Sequence, residues 1–204
     1  MPQDSHVFVV DDDEGSRHSV EALVEAMNVS VHSYDSAESF LADYNNQRPA
    51  CLVTDQRMPG MGGVELIENL RNRGLTLSIV VMTAFPDTRS TVRAMNAGAI
   101  NLIEKPCNSQ ELWNAIQRGL NNDCTAYRQE LELREARERL DELNNGERQV
   151  IEHLSQGIAN KVIASKIGVS LRTVEARRAS IFQKLQVTSI AEMMEVWIKS
   201  RQAN

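Results

Sequence analysis

Apolar residues fall into two alternating rhythms over the front of this chain, and that alternation leaves few folds open. Near-continuous apolar runs stand at Val7–Val10, Cys51–Val53, Leu77–Met82 and Ile100–Ile103, with a weaker one around Val29–Tyr34. Strands that are apolar throughout are buried on both faces, as in a parallel sheet. Between the runs the period changes. Val20, Leu23, Val24 and Met27 fall at i, i+3, i+4 and i+7, the stripe of an amphipathic helix, and Leu66/Leu70, Val92/Met95 and Leu112/Ile116/Leu120 give later helices similar faces. Five strands alternating with five helices predict a doubly wound, five-stranded parallel α/β domain over residues 1–121.

The pattern then breaks twice. From Asp123 to Leu143 there is no Gly or Pro, and Glu130/Arg134 and Glu135/Arg139 are spaced to pair at i, i+4. Leu133, Ala136, Leu140 and Leu143 form a seam of roughly two heptads, short for an autonomous coiled coil. This predicts a linker helix over 122–143, pairing with another copy or packing on its own chain, and ended by Asn144, Asn145 and Gly146. Residues 144–204 read as an all-α domain of four short helices, about 147–155, 159–167, 171–185 and 189–200. Gly168 supplies the turn between the middle pair and Ser170 an N-cap.

Charge follows the same division. Residues 144–204 hold nine Lys/Arg and five Asp/Glu, a balance of +4, whereas residues 1–143 hold thirteen and twenty-three, a balance of −10. An acidic front and a basic back make nucleic acid a candidate partner for the back. Cys51, Cys107 and Cys124 are odd in number and lack C-x-x-C spacing, which disfavours a disulfide framework or a zinc site and fits a reducing compartment. No run approaches the roughly 20 apolar residues of a membrane span, and MPQDSHVF lacks the basic and apolar regions of a secretory signal. A cytoplasmic location without membrane contact is the expectation.

In a parallel α/β sheet the side chains that meet ligands gather beyond the carboxyl ends of the strands. Here those places hold Asp11 and Asp12, then Asp55 in LVTDQRMPG, Thr83 in VVMTAF and Lys105 in LIEKPC. Clustered carboxylates resist full ionisation unless a cation neutralises them, and hard oxygen ligands suit Mg2+. Asp13 and Glu14 complete the acidic run but are placed to start the next helix, where its dipole favours acids.

VVDDDE, TDQRMPGMGGVEL, MTAF and the Lys-Pro of EKPC resemble the receiver domain of two-component response regulators, of flavodoxin/CheY-like fold, over roughly residues 4–121. The resemblance implies that Asp55 accepts a phosphoryl group from a histidine kinase. It implies that Asp12 ligates Mg2+ directly and Asp11 through water, with Asp55 and the backbone carbonyl of Arg57 completing the metal set. Lys105 would pair with phosphoryl oxygens, Thr83 would hydrogen-bond one of them, and the Lys105–Pro106 bond would be cis. One position departs from the family. Receivers usually carry Tyr or Phe three residues before the strand-5 lysine, as the aromatic half of a switch with the strand-4 threonine; here it is Leu102. Phe85 either compensates or is a loop residue at a protein–protein face.

The run from Gly146 to Met193 is similar to the helix-turn-helix domain of LuxR-type regulators, with the match concentrated in ANKVIA, RTVE and QKL. With a receiver in front, this places the chain near the FixJ/NarL type. At about 100° per residue, Val174, Ile181 and Leu185 share a core face of the recognition helix. Arg172, Ala176, Ala179 and Gln183 lie opposite, with Thr173, Glu175 and Ser180 at the margins, and this face suits base edges in a major groove. Lys161 and Lys184 are assigned to phosphates, and Arg177, where the family often has His, to the backbone. Arg178 points coreward and is expected to pair with Glu147. Ile190, Met193, Met194 and Trp197 make a core stripe that, by resemblance, also serves as a dimer contact.

The sequence therefore predicts a non-enzymatic response regulator, with at most slow autodephosphorylation. Phosphorylation of Asp55 would shift it toward a homodimer on a double-stranded operator of two half-sites, through the helix around Thr88–Ala97 and strand 5. A haloacid dehalogenase-type phosphatase is the rival enzyme reading. Its D-x-D-x-[TV] pattern fails at Gly15, and EKPC stands where its second acidic motif belongs. A regulator acting by protein interaction alone is the third reading.

Overall fold

The computed structural model describes residues 5–201. Residues 1–4 and 202–204, the outer ends of both expected domain ranges and the start of the stretch read for a secretory signal, lie outside the described residues. The chain divides between Tyr127 and Arg128 into two compact units.

In the first unit five strands, β1 (His6–Val10), β2 (Ser30–Tyr34), β3 (Ala50–Asp55), β4 (Ser78–Thr83) and β5 (Asn101–Glu104), pair in parallel in the order β2-β1-β3-β4-β5. They alternate with α1 (Glu14–Glu25), α2 (Ala37–Asp43), α3 (Gly63–Asn72), α4 (Thr88–Ala97) and α5 (Ser109–Asp141). Period two decides the layers. Val7 and Val9 face α1 and α5 and pack with Val20, Val24, Leu112, Ile116 and Leu120. Phe8 and Val10 face the other way, toward Phe40 of α2, Leu66, Ile67 and Leu70 of α3 and Ala94 of α4. The weak apolar run became β2 because an edge strand needs less apolar surface: Ser30 and Ser33 stand exposed on it.

Helix starts follow capping chemistry. Asp13 caps α1 by accepting from the Ser16 N–H at 2.7 Å, and Asp87 caps α4 through the Ser90 N–H at 2.9 Å. The segment 122–143 was expected as a linker helix, and residues 122–141 are helical as the continuation of α5, which runs without interruption from Ser109 to Asp141. Gly119 does not break it, because close packing requires a glycine there: a Cβ would lie 2.6 Å from Cys51 Sγ.

The second unit holds α6 (Asn145–Ser155), α7 (Asn160–Ile167), α8 (Leu171–Leu185) and α9 (Ile190–Arg201). Leu140, Leu143, Val150, Ile151, Ile163, Val174, Ile181, Leu185 and Met193 form its core. Gly168 closes α7 in the left-handed conformation, φ 69°, and Ser170 caps α8 by accepting from the Thr173 N–H at 3.1 Å. Asn144 does not end the preceding helix as expected. It is the N-cap of α6, and Asn145 and Gly146 lie inside that helix's first turn.

Two glycines make the packing testable. A Cβ on Gly63 would meet the Asp55 carbonyl oxygen at 2.3 Å, a backbone atom that cannot swing aside, whereas Gly74 has open space around it but φ +74°. Gly74→Ala should cost the about 1–2 kcal/mol of a left-handed L-residue. Gly63→Ala should cost more, at the upper end of the about 1–3 kcal/mol typical of overpacking, with the difference read from urea-unfolding midpoints.

Candidate functional site

The strand order reverses between β1 and β3, which opens a crevice at their carboxyl ends. Register decides what faces it. Val10 lies beside Thr54, so the next residues, Asp11 and Asp55, emerge as neighbours. Asp55 lies beside Met82 and Thr83 beside Glu104, so Thr83 and Lys105 follow along the same rim.

One ammonium holds this rim together. Lys105 Nζ donates to Asp11 Oδ2 at 2.6 Å and to Asp55 Oδ1 at 2.5 Å. The Asp11 and Asp55 side chains are only 4% and 12% exposed, so little water screens the three charges. Burial alone would lower the Lys105 pKa, but the two carboxylates outweigh it and hold the pKa above its ordinary value. Asp11 Oδ2 also accepts from Ser16 Oγ at 2.6 Å and its Oδ1 from the Asp13 N–H at 3.1 Å, while Arg17 donates to its carbonyl at 2.7 Å. Asp55 Oδ2 accepts from the Arg57 N–H at 2.6 Å.

Asp11, Asp12, Asp55, Arg57, Thr83, Phe85 and Lys105 all line one cavity of about 310 Å³. Asp12 is exposed, and among the described residues no group of three or more His, Cys, Asp or Glu could hold a metal ion by itself. That set still fits Mg2+, which keeps several waters and takes only one or two carboxylates. Asp11 and Asp55 supply oxygen donors, and the cavity leaves room for water.

Thr83 is buried, and its Oγ1 accepts from the Phe85 N–H at 3.2 Å. Phe85 is 66% exposed, with the Arg57 guanidinium 5.3 Å from its ring centroid, so the ring stands outward instead of packing into the core. Leu102 is half-buried against the core on the α2–α4 side. The Lys105–Pro106 bond is cis, as is Arg48–Pro49, which the sequence did not announce.

In the second unit Val174, Ile181 and Leu185 of α8 are buried, and Arg172, Glu175, Ala176, Ala179 and Gln183 are exposed, as is Lys161 on α7. Thr173 is half-buried, and its hydroxyl meets Ser170 Oγ at 2.8 Å. Three other residues expected on the DNA face are half-buried and also make contacts within the unit. Ser180 Oγ donates to Glu147 Oε1 at 2.7 Å, Lys184 Nζ donates to Glu147 Oε2 at 2.7 Å, and Arg177 leans on Gly146. The expected Arg178–Glu147 pair is not formed. Arg178 lies 5.2 Å from the Phe182 ring one turn on, because Ser180 and Lys184 occupy the α8 face toward Glu147.

Sequence reasoning missed Ser16 and Glu38 near the first site. Ser16 comes to Asp11 by one turn of α1, and Glu38 holds the loop after Asp55 by accepting from the Met61 N–H at 3.0 Å. Neither carries a sequence signal. The role of Glu147 did have one: Asn144 and Glu147 are spaced as a capping box, and each accepts from the other's N–H.

Comparison with known proteins bears on both units. Residues 7–117 match the response regulator receiver domain, and residues 141–197 match the bacterial regulatory proteins of the luxR family. The chain is 37% identical over 196 residues to the transcriptional regulatory protein FixJ of Azorhizobium caulinodans, covering 96% of this chain and 93% of that protein. It is 30% identical over 192 residues to the response regulator protein TodT of Pseudomonas putida, covering 94% and 85%. Among solved structures, the response regulator StyR matches with a TM-score of 0.90 and 36% identity, over 96% of this chain and 99% of that one.

Glu147 gives the second unit an acid-sensitive joint. Burial raises its pKa, but Lys184, Ser180 and the Asn144 N–H outweigh that and hold it below the ordinary 4.5. A depressed folded-state pKa contributes stability above the unfolded value and loses it as pH falls through the folded one. The stability of the second unit should therefore be level above about pH 5 and fall below it. In Glu147→Gln that acid limb should flatten, at lower stability near neutrality, as read by circular dichroism melts across pH.

Proposed function

The chain belongs to the response regulators that join a receiver to a LuxR-type DNA-binding domain, and from that premise we propose that Asp55 is the phosphoacceptor through which a histidine kinase controls its binding to DNA. It is a transcriptional regulator with a receiver over residues 1–121, a helical linker over 122–143 and a DNA-binding domain over 144–204. The observation that carries the reading is the Asp11–Lys105–Asp55 constellation at the switch point of the sheet.

The chemistry follows from charge. An Asp55 oxygen attacks the phosphorus, the bond to the kinase's imidazole nitrogen breaks, and the imidazole leaves with that electron pair. Such transfers need positioning and neutralisation more than covalent help. Lys105, already tied to Asp55, pairs with the phosphoryl oxygens, and the buried Thr83 hydroxyl turns to one of them. Asp11, Asp12, Asp55 and the Arg57 carbonyl would hold Mg2+, which supplies further positive charge. Thr83 then acts as the switch, with Phe85 released from Arg57 and Leu102 taking the place of an aromatic partner. The exposed Val92 and Met95 of α4 continue that face. No catalytic turnover is assigned beyond slow loss of the phosphoryl group.

On DNA, Arg172, Thr173, Glu175, Ala176, Ala179 and Gln183 form the surface offered to the major groove, with Lys161 toward phosphate. Ile190 and Ile198 of α9 stand 43% and 48% exposed, an apolar face suited to a second copy on an operator of two half-sites. Among the described residues no helix is long and apolar enough to cross a membrane; a cytoplasmic location is part of the proposal, since a regulator of transcription acts where the DNA is.

The test selects duplexes from a random pool with and without beryllofluoride and Mg2+. Treated protein should bind the selected duplex more tightly by about 5–150-fold, the span of a coupling free energy of about 1–3 kcal/mol. Asp55→Asn should take up no phosphoryl group from acetyl phosphate and should bind the duplex at the untreated level, and chelating the Mg2+ should have the same effect on the wild type. A beryllofluoride response that survives in Asp55→Asn would remove Asp55 from the acceptor role.

A further inference from the structure

Helix α5 carries a charge where its pattern calls for hydrocarbon. Leu112, Ile116 and Leu120 follow at four-residue steps, all buried, and the same stripe continues at Asp123 and Tyr127. Asp123 is 1% exposed. Its Oδ1 accepts from Arg48 Nη2 at 2.9 Å, and its Oδ2 accepts from Arg48 Nε at 3.1 Å and from the Ala50 N–H at 2.8 Å. One turn on, the Tyr127 ring centroid lies 5.1 Å from the Arg48 guanidinium. Around them Asn121, Asn122, Thr125 and Ala126 are exposed, so this cluster is what ties the last turn of the receiver unit to the sheet.

A buried ion pair is a poor source of stability, since hydrophobic residues of equal volume often do as well or better. What it supplies is direction. A planar guanidinium fork on a carboxylate fixes one distance and one angle, whereas aliphatic side chains pack in several rotamers. The placement gives that direction a use. Ala50 opens β3 and Asp55 closes it, so the strand that carries the acceptor at one end is bonded to α5 at the other.

We propose that Arg48, Asp123 and Tyr127 form a positioning clamp that fixes the helical phase at which α5 leaves the receiver. A change at the Asp55 end of the sheet then reaches the second unit through α5 and is not lost at a loose joint. The clamp touches no substrate, and its role rests on the reading of Asp55 as the phosphoacceptor that controls DNA binding.

Two full-length variants test it. Arg48→Met with Asp123→Asn removes both charges and leaves a side-chain oxygen for the Ala50 N–H. Arg48→Lys keeps the charge and loses the fork. Each is assayed for phosphoryl uptake from acetyl phosphate, for thermal unfolding, and for the ratio of affinities with and without beryllofluoride, using the duplex selected by the wild type. The expected result is wild-type uptake with the ratio reduced to within about twofold of unity, including in the variant that melts like the wild type. Variants that fold and keep the wild-type ratio overturn the clamp, and a lowered melting temperature with an unchanged ratio does the same by reducing it to a structural role. Should the double variant fail to fold, Arg48→Lys decides on the same readings. A wild type with no beryllofluoride response overturns the reading of Asp55, and the clamp with it, whereas a responsive wild type beside equally responsive variants sinks the clamp alone.

Discussion

The first unit is organised around the ammonium of Lys105, set between Asp11 and Asp55. Two carboxylates brought that close in a shielded crevice repel each other, and the ammonium between them offsets that repulsion. Lys105 stands 94 residues after Asp11 in the chain, so the contact depends on β1, β3, β4 and β5 lying in register. The apolar strands are the means of that assembly. Phe8, Val10, Leu52, Ile79 and Val81 pack one face, and Val7, Val9, Val53 and Val80 the other, so no strand can slip by one residue without turning every side chain over.

Much of this was legible because strand ends are easy to find in a sequence of buried strands. Asp11 and Thr83 directly follow the last apolar residue of their runs and Asp55 and Lys105 stand one residue further on, and all four were read from that rule of placement together with a family resemblance. The rule says nothing about residues that reach a site from a helix. Ser16 approaches Asp11 only through the angle of α1, and Glu38 reaches the Met61 N–H across 23 residues of chain. The segment 122–143 was set apart by the change of composition at Asp123, and composition alone does not say that the helix before such a change continues through it.

The recognition helix shows where angular reading stops. Projection around α8 correctly separated the buried Val174, Ile181 and Leu185 from the exposed Arg172, Ala176, Ala179 and Gln183. At the margins it had no means to choose, since a residue there turns toward whichever neighbour attracts it. Glu147, buried by its own helix, draws in Ser180 and Lys184 and leaves Arg178 to lie over Phe182. Polar side chains at a boundary are placed by the charges of other elements, which a one-helix projection does not contain.

Three acids are buried among the described residues, Asp11, Asp123 and Glu147, and each has found a cation. Their balances differ. Asp123 with Arg48 is neutral as a pair, as is Glu147 with Lys184, and both acids also accept backbone N–H donors. Asp11 and Asp55 share one ammonium, which leaves them one negative charge in excess, and of the other residues lining the cavity Asp12 and Asp13 outweigh Arg57. Neutral, fully bonded pairs have nothing to gain from a further ion, so they serve as fixed joints. The unbalanced site suits an arriving cation, and under the proposal that Asp55 takes up a phosphoryl group Lys105 would gain a stronger partner than the carboxylate it holds. Fixed joints at Asp123 and Glu147 and one unbalanced centre between β1 and β3 are the arrangement a switch requires, because a local change of charge does work only against parts that do not yield.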